Sequence, residues 1–297
     1  MLKPISQLLS TPDTVARFFW QDLLPIGGIS IVAGKPKAGK STFIRNLIAA
    51  TVAPPSNDGK HTFLDIPINE GPVIYLALED DENEVRRRLR TMNVTADAPL
   101  FVDCGGHPFE SDKEAIGWLA EQIEATKAVL CVIDPLFRFL KPRSITNYAS
   151  VTRMIEPLLA VARKQRCHIL TAHHTTKASR ASRDPMASIL GSVAIFGAVD
   201  AAFVIGETDD WMPGFAPYRR ITTRLKYGRG FPWRPTIAMP NPWSDQLTYR
   251  CIGDGDGDER IVAANEEYWR LWLETDGAEM GMTSMGYLDE RGDETIN

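Results

Sequence analysis

Eight residues constrain this chain more than any others: Gly34-Lys35-Pro36-Lys37-Ala38-Gly39-Lys40-Ser41. They follow an apolar run at 28–33 and precede a helix-like run at 42–48. Gly, four residues, Gly, Lys, then Ser or Thr is the pattern of a phosphate-binding loop when a strand leads in and a helix leads out. Its glycines let the backbone turn N–H groups inward around an anion, and the helix start adds unpaired N–H groups and a partial positive charge. On this reading Gly34, Lys37, Ala38, Gly39, Lys40, Ser41 and Thr42 contact the nucleotide. Lys40 reaches the β- and γ-phosphates and the Ser41 hydroxyl ligates a metal, so the implied cofactors are ATP and Mg²⁺. The plain alternative is a Gly/Lys surface turn that matches by chance.

The rest of the chain alternates in a way that suits such a loop. The continuous apolar run at 72–78 and the run at 128–134, which ends in an acid, read as buried parallel strands; 100–103 reads as another strand and 167–174 as one ending in polar residues. Helix-like segments at 85–90, 113–126 and 151–166 lie between them. Further strand-like runs at 201–205, 220–225, 236–239 and 247–251 come without intervening helices. The expected fold is therefore α/β: a twisted, mainly parallel sheet flanked by helices, extended by antiparallel strands at the C-terminal end. Residues 1–26 are a lead-in with an aromatic cluster, Phe18-Phe19-Trp20, in which Trp20 is open to two readings, packing near a nucleotide base or packing in the core. Residues 54–71 read as a turn-rich surface excursion. Residues 27–252 form the main domain, and 253–297 an acidic linker, a short helix carrying Trp269 and Trp272, and a disordered tail. The 254–259 acidic run fails the calcium-loop pattern, because its sixth position is Glu259 and its twelfth is Asn265.

Charge helps only once it is divided. The net charge is −5, but residues 254–297 hold thirteen acids and three bases, so residues 1–253 carry +5. Residues 135–190 alone hold ten Lys/Arg against Glu156 and Asp184, a local +8 that favours a polyanion partner. No apolar run approaches the roughly 18 residues of a membrane span. The Met1-Leu2-Lys3-Pro4 start lacks a signal-peptide core, so the expected location is the cytoplasm, with no membrane partner. Four cysteines without paired spacing read as reduced thiols.

In open α/β sheets ligands collect beyond the carboxyl ends of the strands. Asp134 closes one apolar run and so becomes the second metal ligand with Ser41. Glu79, the first carboxylate off its strand, is the candidate for orienting the attacking water, with Asp80 as fallback; the other acids of the run to Glu82 read as a solvated face or a helix first turn. His173 and His174 end the next strand and can reach a γ-phosphate or a bound water. Two basic segments leave the same edge. The one with Arg138, Lys141 and Arg143 mixes in aromatics, as single-strand grooves do, and the other carries Lys177, Arg180 and Arg183. Their expected ligand is single-stranded DNA. Arg224, Lys226 and Arg229 put cations around a later turn, a setting that suits a cation supplied in trans to a neighbouring subunit's nucleotide.

The ordered set resembles the RecA/DnaB-type ATPases, and most closely the RepA-type hexameric plasmid replicative helicases and their phage and chromosomal relatives in the AAA_25 group. The matching pieces are the Trp20 lead-in, residues 27–41, Tyr75-Leu76-Ala77-Leu78-Glu79-Asp80, Val132-Ile133-Asp134, Ala172-His173-His174-Thr175-Thr176-Lys177, Gly191-Ser192 with Gly197-Ala198-Val199-Asp200, and the turn at 226–229. The resemblance implies a RecA-like fold and a homo-oligomer, as a hexameric ring. It makes Glu79 the catalytic carboxylate, Asp134 the Walker B acid, His174 the γ-phosphate sensor, and Lys226 with Arg229 the trans pair. DnaB-type members space that pair by one residue and this chain by two, so which cation is the finger stays open. Nothing in the resemblance covers the acidic tail, which could recruit a replication protein or mask the basic loops. A filament-forming recombinase or mediator, and a nucleotide-gated regulator without unwinding activity, are the rival expectations.

Overall fold

The computed structural model describes residues 3–10, 17–54, 61–64, 66–106, 108–141, 148–175, 195, 197–207, 218–228 and 236–238. In chain order these residues form α1 (Ile5–Leu9), β1 (Phe18–Trp20), β2 (Leu24–Pro25), β3 (Ile29–Gly34), α2 (Lys40–Val52), β4 (Thr62–Phe63), β5 (Ile66–Pro67) and β6 (Val73–Ala77). There follow α3 (Glu82–Thr91), β7 (Leu100–Cys104), α4 (Asp112–Thr126), β8 (Leu130–Asp134), α5 (Leu136–Phe139), α6 (Tyr148–Gln165), β9 (His168–His174), β10 (Ala201–Glu207), β11 (Tyr218–Leu225) and β12 (Thr236–Ala238).

Eight strands make one sheet in the order β12-β11-β10-β3-β9-β8-β6-β7. From β10 to β7 every neighbour is parallel, while β11 and β12 add antiparallel at the other end. This is the expected RecA-like α/β sheet. Parallel strands need crossovers, and their helices cover both faces. One face buries Ile31, Leu76, Ile133 and Ile169 against α4, α5 and α6; the other buries Val32, Tyr75, Val132 and Phe203 against α2. With both faces covered, the central strands β3, β6 and β8 are buried at every residue, which is why they read as mostly apolar runs.

One expectation is corrected and one open alternative is resolved. Part of the 54–71 stretch is no surface excursion: β4 and β5 pair as a hairpin, and Phe63, Leu64, Ile66 and Ile68 are buried in the α2-side core. Interruption by turn residues hides this apolar content. Trp20 takes the second of its two readings, since it is fully buried, its Nε1 donates to the Phe63 carbonyl at 3.2 Å, and it packs against Phe43, Phe63 and Phe203. Phe19, Trp20, Leu23 and Leu24 of the lead-in are thereby part of the core. The strand expected at 247–251 and the acidic tail with Trp269 and Trp272 lie outside the described residues. Among the described residues no helix is long and apolar enough to cross a membrane.

Candidate nucleotide site

The sheet order puts the carboxyl ends of β3, β9, β8 and β6 in a row. Gly34 lies level with His174, and Ala77 with Asp134. The loop from β3 to α2 therefore opens beside every strand-end candidate. Gly34 is required by close approach: a Cβ there would stand 2.7 Å from the Ile205 carbonyl oxygen of β10. Gly39, the residue before α2, has φ +94°, a left-handed value that glycine adopts without strain.

The helices differ in how they begin. Asp81 caps α3 by accepting from the Asn83 N–H at 2.8 Å, and Ser111 caps α4 by accepting from the Glu114 N–H at 3.2 Å; both first turns carry acids. The start of α2 has neither a side-chain cap nor an acid. Its N–H groups and partial positive charge are thus left for an external anion, with Lys37, Ala38 and Thr42 around the opening.

Lys40 is buried, and its ammonium donates to the Gly34 and Lys35 carbonyls at 3.2 and 3.1 Å. Burial lowers its pKa, opposed by the charges of Asp134 and Glu79. It also lies 3.3 Å from His174 Nδ1. An ammonium can only donate, so that nitrogen accepts and the ring proton sits on Nε2. That nitrogen faces Glu79 Oε2 at 3.6 Å, and on the far side of Glu79 Arg138 Nε stands 3.8 Å from Oε1. Lys40, His174, Glu79 and Arg138 form one line, running from the loop to the segment beyond β8.

Asp134 is buried. Burial raises its pKa, while a hydrogen bond from Ser41 and the charges of Arg45 and Lys40 pull the other way. The Ser41 hydroxyl and Asp134 carboxylate are oxygen donors of the kind Mg²⁺ takes, and they already touch, so the pair fits that cation. The acids after β6 divide sharply. Asp80 pairs with Arg45 of α2, Asp81 caps α3, Glu82 pairs with Arg86, and Glu84 with Arg87 and Arg88. Glu79 alone in that run faces the line of site residues.

Other expected members scatter. The two histidines point apart, as neighbours on a strand must. His173 is buried with its ring against Phe137 at 4.8 Å, and His174 is half-exposed. The 136–139 part of the expected basic loop is the short helix α5, with Leu136 and Phe139 buried; Phe139 meets Phe109 edge to face, so it is not available for base stacking. Lys141 is exposed and its backbone N–H donates to Asp112. Lys226 lies at the opposite edge of the sheet. Its N–H donates to the Asp200 carbonyl at 2.8 Å and its ammonium is 3.9 Å from the Asp200 carboxylate, and the turn through Gly228 lies against Asp22. Arg143, Lys177, Arg180, Arg183 and Arg229 lie outside the described residues. Sequence reasoning missed Arg45, although its spacing of four from Ser41 puts both on one face of α2.

Sheet and loop together define the class: this is a P-loop ATPase domain of the AAA type. Residues 2–180 match the AAA domain family AAA_25, and the chain belongs to it. No curated protein matches the chain.

Proposed function

We propose that this ATPase is a motor that translocates on single-stranded DNA as an oligomeric ring, most simply a hexameric replicative helicase of the RepA type. One observation carries the reading: Arg138, in the basic segment after β8, stands beside Glu79. A cation placed to meet a polynucleotide phosphate is thereby in contact with the acid that orients the attacking water, which supports coupling of hydrolysis to DNA.

In this reading Lys40 exchanges its two loop carbonyls for phosphate oxygens, and Ser41 with Asp134 holds the metal. Bound Mg–ATP supplies the phosphoryl bond to be cut and a cation that neutralises charge on it. Glu79 accepts a hydrogen bond from the water, and the His174 Nε2–H donates toward the same place. Lys226 serves a neighbouring subunit together with Arg229, which suits its station on the edge away from its own loop. Residues 27–252 act as the motor domain, Arg143, Lys177, Arg180 and Arg183 add DNA contacts, and residues 253–297 recruit a replication partner.

ATP turnover with and without single-stranded DNA, and unwinding of forked DNA, test this, with Lys40→Ala as the inactive control. The expected result is DNA-stimulated turnover, fork unwinding, and loss of the stimulation in Arg138→Gln. Hydrolysis without unwinding on any fork rejects the helicase and leaves the recombinase or regulator.

A further inference from the structure

The buried face of α2 is apolar except for Lys40 and Thr51 at its ends and Arg45 in its middle. A buried guanidinium costs stability unless it is paired, so its place among Phe43, Ile44, Leu47 and Ile48 needs a reason. Its firm partner is Asp80. The Tyr75 hydroxyl also lies beside it, in geometry too poor for a full hydrogen bond, and Asp134 adds its charge.

Arg45 is one helical turn beyond Ser41, and Asp80 is one residue beyond Glu79. We propose that the Arg45–Asp80 pair is a strut that sets Glu79 relative to the phosphate loop, making both positioning residues for hydrolysis. This rests on the reading of Glu79 as the water-orienting acid.

Residues 78–80 have neither helix nor strand to hold them. The Leu78 N–H donates to the Asp134 carbonyl at 2.8 Å, but the contacts of Glu79 itself are long, 3.6 and 3.8 Å. The sheet route from the loop to Glu79 crosses β9 and β8, whereas the strut crosses one ion pair. A planar fork fixes direction as well as charge, which a lysine does not. If Arg45 only neutralised Asp80 and Asp134, Arg45→Lys would serve equally well.

The experiment measures kcat and equilibrium binding of a fluorescent ATP analogue for Glu79→Gln, Arg45→Lys, Asp80→Asn and the neutral double variant Arg45→Gln/Asp80→Asn. The double variant leaves no lone buried charge. Expected is a kcat loss of about 10- to 100-fold in the strut variants, as for a displacement of about 1 Å, with nucleotide affinity held within about 2-fold. Added to Glu79→Gln, the strut changes should cost less than about 2-fold more, because they act through that residue. The strut is overturned if Arg45→Lys or the double variant turns over at the wild-type rate, if nucleotide binding falls along with kcat in all of them, or if the losses persist in full without Glu79. Wild-type turnover by Glu79→Gln overturns the catalytic reading and the strut with it; inactive Glu79→Gln beside active Arg45→Lys overturns the strut alone.

Discussion

Strand β9 begins and ends in histidine, and the two ends could hardly differ more. At the amino edge, His168 is fully buried: Nδ1 donates to the Pro25 carbonyl at 2.7 Å, Nε2 accepts from the Ser30 hydroxyl at 2.7 Å, and Phe19 stacks on the ring. Desolvation pushes its pKa down to about 4, so it is a neutral fixture tying the lead-in to the sheet. At the carboxyl edge, His174 is half-exposed and stands between Lys40 and Glu79 at distances of 3.3 and 3.6 Å. One edge has its polar groups matched and closed; the other holds charges at longer range and open to solvent. A side chain's chemistry is set by which end of a parallel strand it occupies.

The comparison breaks most readily at Glu79. Glu79→Gln is expected to lower kcat by about 100-fold or more while sparing nucleotide binding and the urea midpoint, because on the proposed reading the group lost is the one that acts on water. If turnover survives, the open edge is not a hydrolytic site.

His168→Ala should do the reverse. It leaves a cavity and an unpaired buried hydroxyl, at a cost of about 3 kcal/mol in urea unfolding. Its pH signature sharpens the case. The group titrates at about 4 in the folded chain against 6.5 free. Between those values the unfolded chain holds the extra proton, so the stability from the neutral ring is complete above pH 6.5 and is lost as pH falls toward 4. The wild type should lose about 3 kcal/mol across that window relative to His168→Ala. Parallel curves for the two proteins would contradict the closed edge.

The smallest effect belongs to Glu84, in the first turn of α3. Glu84 is held down to a pKa of about 2 by hydrogen bonds from Arg87 and Arg88, yet it sits at the surface. Glu84→Gln should cost no more than about 0.5 kcal/mol and leave turnover unchanged, which thermal melting and a rate assay check.

Much of this architecture is legible in the chain. Strands buried on both faces are mostly apolar, so β3, β6, β8 and β9 announce themselves, and the loop motif orders them around a site. Short elements with broken apolar runs do not, as Phe63 and Ile66 of the β4–β5 hairpin show. Partnership is also hidden. Four consecutive acids look alike in one dimension, and only packing against α2 and capping of α3 separates Asp80 and Asp81 from Glu79. The adjacent histidines at 173 and 174 read as a pair until strand alternation sends one into the core. His168, at the start of the same strand, is not legible, because nothing local marks a ring whose partners are Ser30 and Pro25.

The bare beginning of α2 has a thermodynamic corollary. Where α3 and α4 carry their own terminators, α2 borrows one, so the triphosphate acts as a detachable end-piece of the secondary structure. Melting of the ATPase domain should then follow ligand concentration, rising by about 1.4 kcal/mol for each tenfold excess over the dissociation constant.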